Sequence, residues 1–110
     1  MGDRLRRECV SHAPLLATTL EDTPRVSFAD FAGGAVRLPA ASSITSLAFY
    51  GAERDDDLAT FAELYDRSGE AVTLEVAADR MTELHDAVFG CAAIKIVADA
   101  AGQVFLSLKG

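Results

Sequence analysis

The stretch Ile94–Lys109, IKIVADAAGQVFLSLK, decides the fold. Ile94 and Ile96 alternate with Lys95, and Val104, Leu106 and Leu108 alternate with Phe105, Ser107 and Lys109. A strand turns successive side chains to opposite faces, so a period of two sets one apolar row on a core and the other row outside. Asp99-Ala100-Ala101-Gly102 stands between the two runs. Asp opens a type I turn by bonding its own backbone, and Gly accepts the left-handed conformation that closes it. A hairpin with a bulge is the expected result.

Working outward, the same pattern recurs. Val72, Leu74 and Val76 alternate with Thr73 and Glu75, after a second D-x-x-G turn at Asp66-Arg67-Ser68-Gly69. Leu47 and Phe49 share one face of a strand over Ile44–Tyr50. Phe61, Leu64 and Tyr65 cannot share a face without a bulge. Val26–Phe28, and Val36 with Leu38, supply shorter strands. Leu64, Leu84 and Phe89 complete the expected core. Ala78–Phe89, with Met81, Leu84, Val88 and Phe89, suits one or two helical turns between strands, capped by Gly90. Short strands with Gly-rich turns predict an all-β domain: a single antiparallel β-sandwich of seven or eight strands, jelly-roll-like.

The first 24 residues differ in texture. They lack alternation, and Pro14 interrupts a helical spacing of Leu5, Cys9, Leu16 and Leu20. Residues 1–24 are expected to form an N-terminal arm, extended or a short helix, ahead of the sandwich over 25–110. Three Arg face four Asp/Glu in the arm, net −1, and seven Lys/Arg face thirteen Asp/Glu beyond it, net −6.

The chain has 110 residues, half of them apolar, and a net charge of −7, with an isoelectric point near 4.6. One domain with its own core suits that length. The acidic balance argues against a nucleic-acid partner, because that affinity comes from Lys and Arg on phosphates. No apolar run is long enough for a membrane helix, so no membrane partner is expected. The start lacks a clean apolar segment of the kind a secretory leader carries.

Candidate chemistry is sparse. Cys9 and Cys91 are too few to signal a disulfide framework. Cys9 with His12 lacks an orienting third group on a rigid platform. Glu83, His85 and Asp86 offer one imidazole where zinc needs three or four fixed ligands. Asp55-Asp56-Asp57 beside Glu53 lacks the spacing of a calcium loop and reads as a solvated tip. With no nucleophile elbow and no phosphate loop, no catalytic residue, no metal ligand and no cofactor is expected. Phe105 is an apolar side chain on a polar strand face, a mark of an interface. Phe105, Tyr50 and Tyr65 could instead stack a sugar ring, which makes a carbohydrate- or receptor-binding module the alternative.

Four stretches resemble small structural proteins of tailed bacteriophages and prophages: ITSLAFYGA (44–52), FAELYDRSGEAVTLEVAADR (61–80), AVFGCAAIKIVAD (87–99) and GQVFLSLKG (102–110). FAGGAVRLPAAS (31–42) is similar to their Gly-rich step into a Leu-Pro strand end. The resemblance covers residues 26–110 and departs at the acidic Glu53–Asp57 tip and at the arm. It implies a non-enzymatic virion protein, a head decoration, head fibre or head–tail-associated component, assembled in the host cytoplasm. Its expected partners are other virion proteins and further copies of itself. Docking would fall to one sheet face, through Phe105, and to the arm, where Leu5, Leu15, Leu16 and Leu20 would make apolar contacts and Arg4, Arg6 and Arg7 would meet acidic surface.

Overall fold

A computed structural model describes residues 9–110, and the chain over them is an all-β, antiparallel fold. Eleven strands are formed: β1 (Cys9–His12), β2 (Leu15–Leu16), β3 (Val26–Ser27), β4 (Gly33–Arg37), β5 (Ser46–Ala52), β6 (Ala62–Glu63), β7 (Thr73–Glu75), β8 (Met81–Glu83), β9 (Ala93–Ala98), β10 (Gly102–Gln103) and β11 (Phe105–Lys109). Six have only two or three residues, which is why the total exceeds the seven or eight expected.

One sheet runs β1-β11-β4-β8 and another β3-β9-β5-β6, with β7 also on β5. Alternation sets each register. Leu106 lies opposite Val36 and Phe49 opposite Ile96, and all four are fully buried. These apolar rows belong to one core, which also holds Phe28, Leu38, Leu47 and Ile94. Leu64, Leu74 and Phe89 pack against that core only half-buried.

β6 and β7 lie along the same edge of β5, at Tyr50–Gly51 and at Ser46–Ala48. Residues 64–72 leave that edge as a hairpin, closed by the Tyr65–Ala71 bridge. This excursion is the break that Phe61, Leu64 and Tyr65 demanded. At its tip the Asp66 Oδ1 accepts from Ser68 N at 2.9 Å, Ser68 Oγ at 2.7 Å and Glu70 N at 3.0 Å. Gly69 takes φ +87°, the left-handed conformation foreseen for it.

The Asp99 turn corrects the other hairpin expectation. β9 and β11 belong to different sheets, so the turn carries the chain from one to the other. Asp99 Oδ1 accepts from Thr45 N at 2.9 Å and Ser46 N at 3.2 Å, and Oδ2 accepts from the Thr45 hydroxyl. The carboxylate therefore anchors the start of β5.

The helix expected over Ala78–Phe89 is also corrected. Met81–Glu83 pairs with β4, and only Asp86–Gly90 winds, as a 3₁₀ turn. Asp79 at φ +58° blocks a helix starting there, and an isolated helix this short is marginal beside an open strand edge. Gly90 ends the turn from inside it, and Cys91 is the extended residue that follows.

The described part of the expected arm is woven into the fold. β1 lies on β11, with Val10 opposite Leu108, and β2 pairs with β10. The loop after β2 is fixed by Thr23, which is buried and donates through Oγ1 to the Thr19 carbonyl at 2.9 Å. Alternation was absent there because β1 and β2 together contribute only six residues.

Candidate functional site

Residues of the β1-β11-β4-β8 sheet that do not enter the core form its outer face. Alternation places Phe105, Ser107 and Lys109 there from β11, and Gly33, Ala35 and Arg37 from β4. Met81 and Glu83 join from β8, and Ser11 from β1. Register orders them into rows. Met81, Arg37 and Phe105 stand side by side, and the next row is Glu83, Ala35, Ser107 and Ser11.

The first row is a ridge. The Arg37 guanidinium carbon lies 4.5 Å from the centroid of the Phe105 ring. Met81 is 57% exposed, an uncommon state for a large thioether side chain. The second row is a floor of small side chains, where Ala35 and Ser107 leave room above the sheet. Two shallow depressions result, of about 430 and 330 Å³, and Met81 and Ser107 line both. Lys109 and Glu83 stand at the edge of the larger one.

A separate concavity, of about 620 Å³, lies between the Asp66–Gly69 tip and the 3₁₀ turn. Tyr65 lines it, and the Tyr65 hydroxyl donates to Glu63 Oε1 at 3.0 Å, which raises its pKa. On the other wall His85 Nδ1 accepts from Ala87 N at 3.0 Å. The Ser68 hydroxyl, donating to Asp66, holds that carboxyl below the usual carboxylate range.

The predicted site residues divide. Phe105 lies on the outer face, half-buried beneath Arg37. Leu15 is 67% exposed. Leu16 is a correction: it is fully buried in the core and cannot meet a partner, because β2 turns Leu15 outward and Leu16 inward. Leu20 is half-buried, and its carbonyl accepts from Lys95 Nζ at 3.2 Å. Arg4, Leu5, Arg6 and Arg7 lie outside the described residues, as does any contact of the Cys9 side chain. Glu83 and His85 serve different places, the sheet face and the 3₁₀ turn. Among the described residues no three His, Cys, Asp or Glu side chains converge as metal ligands.

The acidic tip is a clasp. Arg25 Nε lies 2.9 Å from Asp55 Oδ1, and Arg25 also donates to the Asp56 carbonyl. Arg54 forks onto Asp56 with contacts of 2.6 to 2.9 Å, which holds the Asp56 carboxyl below its ordinary pKa.

Sequence reading missed Arg37, Ala35 and Met81. The first two were legible: Val36 facing the core forces both neighbours outward. Met81 was hidden by the helical reading of its segment.

Compared with known proteins, the chain matches no family model, no curated protein and no solved structure at a significant level. Fold and face define a small antiparallel all-β domain with one sheet face crossed by a row of Met, Arg and Phe.

Proposed function

We propose that this protein is a non-enzymatic assembly subunit that docks through the outer face of the β1-β11-β4-β8 sheet, and that the neighbour seated there is a second copy of the chain. One observation carries this reading: Met81, Arg37 and Phe105 stand in a single row beside a floor of small residues. Aromatic residues, Met and Arg are the types enriched where proteins meet. Charge favours a second copy as occupant. The face holds Glu83 on β8, with Arg37 on β4 and Lys109 on β11, so a two-fold whose axis runs between β8 and β11 sets Glu83 of each copy against a base of the other. The resemblance to bacteriophage structural proteins supports the virion as the setting, and Arg4, Leu5, Arg6 and Arg7 are assigned to a neighbouring subunit there.

Sedimentation velocity tests the reading. The unaltered chain is expected to shift from monomer to dimer with concentration. Ala35→Arg, which fills the floor with a charge, and Phe105→Ala, which removes the ridge, are each expected to remain monomeric. A monomer at every concentration in the unaltered chain, or dimers in both variants, overturns it.

A further inference from the structure

The groove between the Asp66–Gly69 tip and the 3₁₀ turn is separate from the docking face, and its lining has a chemistry of its own. We infer that it is a binding site for a neutral hexopyranose unit, with Tyr65 as the stacking platform. Tyr65 is 55% exposed and lines the groove. Its hydroxyl is tied to Glu63 at 3.0 Å, which fixes the orientation of the ring. A sugar presents a face of C–H bonds that packs on such a ring.

Polar groups surround the platform, and both walls are held in place. On one wall the three turn bonds of Asp66 all fall on Oδ1, which directs Oδ2 to other partners. On the other, His85 Nδ1 accepts from Ala87 N, so the neutral imidazole carries its proton on Nε2 as a donor. Asp86 adds an acceptor, Arg67 adds donors, and the Ser68 hydroxyl oxygen, whose proton goes to Asp66, is a further acceptor. Donors and acceptors around an apolar plane match a ring whose hydroxyls both donate and accept. Two carboxylates against one guanidinium disfavour an anionic sugar or a phosphate.

Saturation-transfer NMR tests the site, with the methyl glycosides of glucose, galactose, mannose and N-acetylglucosamine as probes at millimolar concentration. Transfer from protein aromatic protons to the ring protons of at least one glycoside is expected. Tyr65→Ala should weaken that binding at least about tenfold. Tyr65→Phe, which keeps the ring, should retain it, and so should Phe105→Ala on the docking face. No transfer to any of the four, or transfer that survives in Tyr65→Ala, overturns the assignment. Far-UV circular dichroism confirms that each variant is folded, and a change at exposed Tyr65 leaves the core intact.

Discussion

Arg37 lies over Phe105, its guanidinium carbon 4.5 Å from the ring centroid, on neighbouring strands of one sheet. The pair forms two of the three side chains in the ridge on the outer face of that sheet. At a partly exposed site such a contact contributes about 0.5–1 kcal/mol. A double-mutant cycle with Arg37→Ala and Phe105→Ala, read by urea unfolding of the monomer, is expected to give a coupling of that size. A coupling of zero contradicts the pairing.

Gly51 and Cys91 form a second interlocked pair. A Cβ at Gly51 would lie 2.5 Å from Cys91 Sγ. Alternation along β5 turns position 51 toward the core, and Cys91 fills the space that a side chain there would take. Gly51→Ala is therefore expected to cost about 1–3 kcal/mol, the usual range for overpacking. Adding Cys91→Ala should recover at least half of that loss. Simple additivity of the two changes in a thermal or urea melt would contradict the packing account.

Asp99 predicts a pH dependence. The Thr45 hydroxyl, with the backbone amides of Thr45 and Ser46, holds its carboxyl below the ordinary value of 3.8. A carboxylate depressed in the folded state stabilises the fold above the unfolded value and loses that contribution as pH falls through the folded one. The urea midpoint should drop between about pH 5 and about pH 3, and Asp99→Asn should drop less steeply. Parallel profiles for the two proteins contradict the anchor.

Arg25 and Asp55 make a weaker statement about the acidic loop. Both side chains are partly exposed, so Arg25→Ala is expected to cost less than about 1 kcal/mol, and less still at high salt. A salt-independent loss would contradict an ionic clasp.

How legible this was depends on the range of each interaction. The Asp66 turn was readable because its three bonds stay within four residues. Alternation in β5, β9 and β11 was readable because a strand with one buried face repeats every two residues. Asp99 has the same D-x-x-G pattern, yet its carboxylate bonds residues 53 and 54 positions away. Nothing local distinguishes the two. Met81 was misplaced because three residues that pair only with β4 carry too little periodicity to show their partner. The outer face needed the register of β8 on β4 and of β4 on β11, which arises from long-range pairing. The acidic tip is solvated, as its charge run implied, but its tie to Arg25 was not legible, because Arg25 lies thirty residues before Asp55 in sequence.

An isotope-filtered NOE experiment on an equal mixture of labelled and unlabelled chains tests the central claim most directly. The docking account predicts intermolecular cross-peaks from the Met81 methyl group to protons of Ala35 or Phe105 on the other copy. A mixture showing no intermolecular contact to Met81, at the highest concentration the protein tolerates, would contradict it.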